Sequence, residues 1–241
     1  KLNDILKGWR DSELTIWSGR SGAGKSTILN QVILHLGGMN IKSCMASLEM
    51  PPKRYLRWAV IQHLKAVHPH PSQVDRALDY FDNLIYIINT HEQIEPGLLL
   101  EIFEYAARRY DVKHFIIDSL MRIKLPGKKD VEEQKEFVSS LLSFASKFTV
   151  HVHLVAHPRK GYADSDKPGK SDVKGSGDIT NLADNILIMW RVDEEEKEAA
   201  MKKKLSVSDQ ILFVKKNREF GLEGGIKMYF DKDTKNFSDG S

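Results

Sequence analysis

The sequence predicts an α/β fold in which a mostly parallel, twisted sheet is flanked by helices, and three observations favour it. Apolar, β-rich runs alternate with segments of helical periodicity along most of the chain. A length of 241 residues is enough for one large domain with a substantial core. The glycine-rich segment GRSGAGKST at 19–27 directly follows an apolar run, which is typical of a strand that leads through a loop into a helix.

The predicted elements follow one another in order. Strands are expected at 13–18, 41–48, 84–89, 113–117, 150–156, 185–190 and 210–214, and helices at 25–36, 51–66, 97–110 and 131–148. The turn signal EGG at 223–225 predicts a C-terminal β-hairpin within 210–237. Loops are expected at 124–131, 158–175 and 193–209, although the charge spacing at 193–204 is also typical of an exposed helix. Since no internal repeat is present, we expect a single domain over 1–241.

Composition limits the binding partners and the cellular compartment that can be expected for the protein. The net charge of +3 argues against a general polycation, so any nucleic-acid contact is expected from local basic segments. The one cysteine, Cys44, rules out a disulfide framework and favours the cytoplasm or another reducing compartment. No apolar run approaches membrane-spanning length, so no membrane partner is expected. Because the chain begins at Lys1 rather than Met, we expect it to be part of a longer protein.

The segment 19–27 matches the P-loop pattern Gly19-x-x-x-x-Gly24-Lys25-Ser26. Glycines let backbone N–H groups approach phosphate oxygens, and the following helix directs its positive end at them. Lys25 is expected to reach the β- and γ-phosphates, and the Ser26 hydroxyl to bind Mg²⁺. The sequence therefore predicts an ATP or other nucleoside triphosphate site formed by Ser21, Gly22, Ala23, Gly24, Lys25, Ser26 and Thr27.

Two carboxylates follow later predicted strands. Asp118 ends the apolar run KHFIID and is the candidate for the second protein ligand on the Mg²⁺ side. Hydrolysis also needs a group that orients or deprotonates water. Glu49, in ASLEMPP, is the better candidate for that role, because the carboxyl ends of parallel strands lie beside the phosphate site.

Six motifs occur in the order found in DnaB-like hexameric helicases: SGRSGAGKST, SLEMP, FIIDSL, VAHPRKG, KGSGDITNLADNILI and KKNREFG. The chain resembles this family from about residue 2 to 237, and is most similar to the helicase half of phage primase–helicases and to mitochondrial Twinkle. The resemblance implies a RecA-like P-loop NTPase core in a ring of six subunits. That ring would translocate 5′→3′ on single-stranded DNA and unwind duplex. The resemblance also implies an upstream linker helix, and we expect this helix and any primase domain to be absent from 1–241.

The resemblance assigns roles to single residues. It implies that Glu49 is the hydrolytic base, that Asp118 is the Mg²⁺ partner and that His157 senses the γ-phosphate. Arg218 in KNREFG is similar to the arginine finger that enters the neighbouring subunit's site, with Lys216 beside it.

Basic loops are the candidate DNA-binding segments, since in this family loops that line the central channel hold the phosphate backbone. A serine between glycines lets backbone N–H groups approach a phosphate without reading sequence. The predicted contacts are Lys128, Lys129, Arg159, Lys160, Lys170, Lys174, Gly175, Ser176 and Gly177.

Some positions depart from the family pattern. Asn181 replaces a longer glutamine of the phage enzymes, and Lys227 stands where a base-stacking tyrosine is expected. Tyr229 or Phe230 could stack on the base instead, so the base pocket stays unassigned. His151 and His153 could share a strand face with His157, which makes a metal site conceivable. Because no further metal ligand is identifiable nearby, His151 and His153 are expected to be ordinary strand residues.

Two other classes of function remain open from the sequence. A RecA-like recombination or repair ATPase would share the nucleotide site and DNA loops but form filaments rather than rings. A non-motor ATP switch or helicase loader would bind ATP without DNA-dependent turnover. The KGSGDI motif after a basic loop and the ADNILIMWR run favour the helicase.

Overall fold

The computed structural model of the chain describes residues 1–90, 93–125, 131–158, 177–202 and 206–240. Its helices are α1 Leu2–Leu6, α2 Lys25–Gly38, α3 Pro52–Leu64, α4 Pro71–Phe81, α5 Pro96–Tyr110, α6 Val131–Phe148, α7 Gly177–Leu182 and α8 Glu194–Lys202. Its strands are β1 Leu14–Gly19, β2 Ser43–Ser47, β3 Ile85–Ile87, β4 His114–Asp118, β5 His151–Val155, β6 Asn185–Arg191, β7 Gln210–Asn217, β8 Gly224–Phe230 and β9 Phe237–Ser238.

The described strands form one sheet in the order β3-β2-β4-β5-β1-β6-β7-β8-β9. Neighbours from β3 to β6 pair in parallel, whereas β7, β8 and β9 continue the sheet in antiparallel pairing. Every residue of β1, β2, β4 and β5 is buried, as expected for central parallel strands with helices on both faces. The predicted mostly parallel sheet is therefore present.

Alternation along the strands divides the core into two layers. Leu14 and Ile16 of β1 pack on one face with Phe103 of α5. Trp17, the residue after Ile16, points to the other face and packs there with Leu29 of α2. The P-loop helix is thereby fixed to the sheet by its own apolar face, and the loop before it is held at one end of the strands.

The predicted strands and long helices are all present, with ends that shift by a few residues. The predicted hairpin turn at 223–225 is wrong in position. Gly224 and Gly225 pair with Val214 and Phe213 within β8, so the turn lies earlier. A Cβ at Gly225 would lie 3.0 Å from the Phe213 ring, which explains a glycine inside a strand.

Three helices were not predicted, namely α1, α4 and α7. The signal for α4 was available in the sequence: Pro71 is its first residue, and His70 and Gln73 form a capping box. The expected loop at 193–209 contains α8, in agreement with the charge spacing at 193–204. Within the described part of the chain, no helix is both long and apolar enough to cross a membrane.

Candidate nucleotide site

The P-loop connects β1 to α2 at the carboxyl end of the sheet. Gly24 precedes the first residue of α2 with a φ of 95°, a conformation that side chains other than glycine rarely adopt. A Cβ at Gly24 would also lie 2.7 Å from the Phe237 ring. The first N–H groups of any helix lack intrahelical acceptors, so the loop presents donors suited to phosphate oxygens.

Lys25 is a buried cation within this loop. Its Nζ donates to the carbonyl oxygens of Gly19 at 2.7 Å and Arg20 at 2.9 Å. Burial lowers the pKa of the Lys25 ammonium, while the charges of Asp118 and Glu49 act in the opposite direction. A partly desolvated ammonium beside two carboxylates is well placed to bind an anionic phosphate chain.

Ser26 and Asp118 meet across the sheet edge. The Ser26 hydroxyl donates to Asp118 Oδ2 at 2.5 Å. Burial raises the pKa of the Asp118 carboxyl, and the hydrogen bond from Ser26 partly offsets that rise. Hydroxyl and carboxylate oxygens are the ligand types that Mg²⁺ takes beside substrate phosphates, so this pair fits a magnesium ion.

Glu49 lies just beyond β2 and receives two hydrogen bonds. The Ser119 hydroxyl donates to Glu49 Oε1, and His157 Nε2 donates to the same oxygen at 3.3 Å. The His157 hydrogen bond is the main cause that lowers the pKa of Glu49 to about 2, aided by Ser119 and by the charge of Lys25. The side chain is 39 % exposed, so an ionised carboxylate oxygen can reach a water molecule.

These groups share one edge because of strand order. The strands β2, β4, β5 and β1 are neighbours, and their carboxyl ends carry Glu49, Asp118, His157 and the P-loop. The structure thus brings five of the predicted catalytic and metal-binding residues together. Ser119 was not among the predicted site residues, although its position directly after Asp118 at a strand end was a usable signal.

Arg218 and Lys216 lie at the opposite edge of the sheet. Because β7 is antiparallel to β6, its last residue Asn217 pairs with Asn185 at the start of β6. The P-loop follows the far end of β1, a strand of six residues, which corresponds to roughly 20 Å at ~3.3 Å per residue. Arg218 therefore cannot serve the nucleotide site of its own chain.

At this amino edge, both cations bind the end of α7. Arg218 Nη1 donates to Asp184 Oδ1 at 2.8 Å, and Nη2 donates to the carbonyl oxygens of Asn181 at 2.6 Å and Leu182 at 2.9 Å. Lys216 Nζ donates to the carbonyl oxygens of Thr180 at 2.9 Å and Asn181 at 3.0 Å. Arg218 and Lys216 therefore both cap the C-terminal end of α7 within their own chain.

Comparison with known proteins identifies the family. A family model described as the DnaB-like helicase C-terminal domain matches residues 1–239. The chain belongs to this DnaB-like family. The replicative DNA helicases DnaB of Mycoplasma genitalium and Mycoplasma pneumoniae are each 25 % identical to it, over 98 % of the chain and 54 % of the relative. The chain thus spans about half the length of these curated relatives.

Solved structures show the same fold for this DnaB-like chain. A solved ATPase domain matches with a TM-score of 0.82 at 18 % identity, over 100 % of this chain and 89 % of that one. A DnaB-like replicative helicase, solved in a study of its interactions with primase, matches with a TM-score of 0.80 at 18 % identity, over 98 % and 59 %. The predicted RecA-like fold and DnaB-like family are confirmed, and the finer likeness to phage enzymes and Twinkle stays a prediction.

Most predicted DNA-binding residues of the DnaB-like chain lie outside the described residues: Lys128, Lys129, Arg159, Lys160, Lys170, Lys174, Gly175 and Ser176. Gly177 is the first residue of α7. Lys124, at the start of the first basic loop, forms an ion pair with Glu95 at 2.8 Å. The DNA-binding assignments therefore stay predictions.

The region expected near the nucleotide base contains an open cleft of about 460 Å³ between α2 and the strands β8 and β9. Tyr229 and Phe230 line it, and Phe230 also packs on Phe237, with ring centroids 4.9 Å apart. Lys227 is engaged elsewhere, since its Nζ donates to the Ser206 carbonyl. Both aromatic residues thus border an open cleft, and their contact with a base stays a prediction.

The strand histidines are separate from His157. His151 and His153 are fully buried within β5, whereas His157 lies beyond its end beside Glu49. Asn181 lies in α7 at the amino edge, where its carbonyl receives Arg218 and Lys216. Neither Asn181 nor the two strand histidines belong to the group around the P-loop.

Proposed function

We propose that this chain is the motor domain of a replicative DNA helicase, which hydrolyses ATP or another nucleoside triphosphate while moving on single-stranded DNA. One observation carries the proposal. The groups needed for hydrolysis share one edge of the sheet, whereas Arg218 and Lys216, the candidate finger pair, lie at the opposite edge. Such a site is completed only by a second copy. Family membership supports the DNA and replication parts of the proposal.

Phosphate binding falls to the P-loop. Its N–H groups and Lys25 would hold the triphosphate, with the helix dipole of α2 adding to the attraction. Ser26 and Asp118 would hold Mg²⁺, whose charge neutralises phosphate oxygens during transfer. Burial of Lys25 and Asp118 keeps water from screening these contacts.

Glu49 would orient the attacking water. Its low pKa makes it a weak base in the ground state, so it accepts the proton only as the water attacks the γ-phosphorus. The hydrogen bonds from Ser119 and His157 fix the carboxylate in place. His157 contacts Glu49 directly. A change at the γ-phosphate that shifts Glu49 would therefore reach the residues after β5 through this one hydrogen bond.

Assembly follows from the separation of the two edges. A repeated contact between different faces of identical subunits closes into a ring when its rotation allows. We propose a homo-hexamer in which Arg218 and Lys216 of one subunit approach the triphosphate of the next. The charge they add in the transition state is worth about 10³–10⁵ in rate for fingers of this kind.

Single-stranded DNA is proposed to bind the basic loops that precede α6 and α7, with movement 5′→3′ and duplex unwinding following from the family resemblance. A primase is a proposed partner, in keeping with the related helicase whose interactions with primase were studied. Six copies of a modest basic segment would make a strongly positive channel from a nearly neutral chain.

The direct test measures ATP hydrolysis by the full-length protein with and without single-stranded DNA, beside the Glu49→Gln variant. We expect DNA to stimulate turnover, and the variant to lose about 10²–10⁴-fold in rate while still binding nucleotide. Absence of DNA stimulation would favour the ATP switch or helicase loader. Filaments instead of closed rings in electron micrographs would favour the recombination ATPase.

A further inference from the structure

The end of α7 and a neighbour's phosphate would compete for the same N–H donors, those of Arg218 and Lys216. Both η nitrogens of Arg218 donate to residues 181–184, and Lys216 donates to carbonyl oxygens of residues 180 and 181. A guanidinium binds phosphate through the same fork of N–H groups. Arg218 therefore cannot keep its α7 contacts while its η nitrogens grip a phosphate oxygen.

The end of α7 depends on these cations. A helix leaves its last carbonyl oxygens without intrahelical donors, and cations near that end stabilise it. Arg218 and Lys216 supply donors to the carbonyls of the last three residues of the six-residue α7, 180 to 182, and to that of Ala183, the residue after it. Removing both cations would leave this short helix with an uncapped end.

Asp184 ties this arrangement to the sheet. Its Oδ1 receives Arg218 Nη1, while its Oδ2 accepts from the Leu14 amide at 2.9 Å. Its backbone also bonds on both sides, since Asp184 N donates to Leu14 O and Arg218 N donates to Asp184 O. One buried residue thus fixes the finger arginine relative to β1, the strand that ends in the P-loop.

We infer that Asp184 and the end of α7 form a holding site for the arginine finger, and that engaging a neighbour's nucleotide requires release of α7. This inference rests on the proposed function, in which Arg218 acts between subunits. Asp184 is then a positioning residue that acts through Arg218. If DNA bound to the predicted segment before α7 also favours release of α7, then DNA and the neighbour's nucleotide would strengthen each other's binding by the same factor.

The Asp184→Asn variant of the full-length protein tests the holding site, because it removes the charge and keeps the size of the side chain. We expect DNA-independent ATP turnover to rise about three- to tenfold, in line with the loss of a charge-assisted hydrogen bond. The KM for ATP should stay unchanged. The stimulation ratio, which is the turnover with single-stranded DNA divided by the turnover without it, should fall. Asp193→Asn, the same change at the residue that caps α8, should alter neither rate.

An unchanged stimulation ratio in Asp184→Asn, or equal losses of both rates, would overturn the inference. A wild-type protein that DNA does not stimulate would instead refute the proposed function, which keeps the two failures apart.

Hydrogen exchange of α7 gives a second measurement that does not depend on the variant folding well. The Ala183 amide, which donates to Ile179 O, should exchange faster when wild-type rings bind a non-hydrolysable ATP analogue. In Arg218→Ala it should exchange fast with or without the analogue. Equal protection of this amide in wild-type protein under both conditions would contradict release of α7.

Discussion

At the scale of single residues, Ser119 gives Glu49 its orientation. Ser119 is fully buried and its hydroxyl donates to the same Glu49 oxygen that receives His157. Without Ser119, one hydrogen bond to the carboxylate is lost and its pKa rises towards the usual value. A charged acceptor held by fewer donors samples more orientations, which lowers the fraction of time it can position water.

We therefore expect Ser119→Ala to lower kcat for ATP about three- to thirtyfold with little change in KM, as for the loss of one hydrogen bond to a charged group. The acid limb of the pH–rate profile should move to higher pH, because the Glu49 carboxylate then protonates more readily. Ser140→Ala removes a hydroxyl from the exposed face of α6 and serves as control. A kcat equal to wild type would show that Ser119 does not position Glu49.

The sequence predicts some of these residues and not others for a physical reason. Lys25 and Ser26 lie within one contiguous loop, so their geometry follows from local spacing. Asp118 and Glu49 are predicted because each ends an apolar strand. Ser119 follows the same strand end as Asp118, which marks its position, but its role as donor to Glu49 depends on the strand pairing that brings together residues 70 apart.

At the scale of elements, the P-loop is held by the C-terminal strand. Phe237 of β9 lies against Gly24, and Gln31 of α2 binds the Phe237 backbone on both its N–H and C=O groups. The shape of the phosphate loop thus depends on residues from both ends of the chain. This packing could not be predicted from sequence, because the β9 segment has only two residues and no strand pattern.

Gly24→Ala tests this packing. The new Cβ would clash with the Phe237 ring, and alanine would have to adopt a φ of 95°. We therefore expect a loss of about 1–3 kcal/mol in unfolding free energy and much weaker nucleotide binding. Gly38→Ala, at the other end of the same helix, meets no atom within 4 Å and has no positive φ, so it should leave stability equal or slightly higher. Urea unfolding and nucleotide titration measure both. Equal stability of the two variants would contradict the contact with Phe237.

At the scale of the whole molecule, three neutral histidines lie inside the sheet. Trp17 Nε1 donates to His153 Nδ1, so His153 carries its proton on Nε2 and donates to His114 Nδ1 at 3.0 Å. His151 Nδ1 donates to the Arg10 carbonyl, which leaves Nε2 to accept from Thr15. Each acceptor nitrogen would lose its bond on protonation.

Burial therefore lowers the pKa of His114 to about 3 and of His151 to about 4, and lowers that of His153 well below its usual value. The unfolded chain binds these protons near pH 6.5, so it gains protons first as the pH falls. Stability should be constant above that pH and decline below it, by up to about 1.4 kcal/mol per pH unit for each histidine.

Urea unfolding between pH 7.5 and 5.5 measures this decline. In His114→Gln one of the three buried histidines no longer titrates, so the slope should fall by up to about a third, whatever the change in absolute stability. His68→Gln, the same change at an exposed position, serves as the control. Equal slopes in all three proteins would show that His114 does not resist protonation in the folded state.

The arrangement of the two sheet edges is also a property of the whole molecule. The alternation of strands with helices along the sequence predicts a parallel sheet. The position of Arg218, however, depends on β7, which runs antiparallel beside β6. No local pattern specifies that pairing, since it is decided by the packing of the whole sheet. The sequence therefore predicts the finger only through family resemblance, and the structure adds that Arg218 lies at the end of the sheet away from its own P-loop, which supports the proposed role between subunits.

Mixing the Glu49→Gln and Arg218→Ala variants, each expected to hydrolyse ATP slowly alone, and following ATP hydrolysis tests whether the nucleotide site is shared between subunits. In mixed rings, a subunit with intact Glu49 can receive intact Arg218 from its neighbour at about one interface in four. The account predicts turnover well above that of either variant alone, with mixtures of each variant and wild type as calibration. A mixture no more active than its two components would contradict a nucleotide site shared between neighbouring subunits.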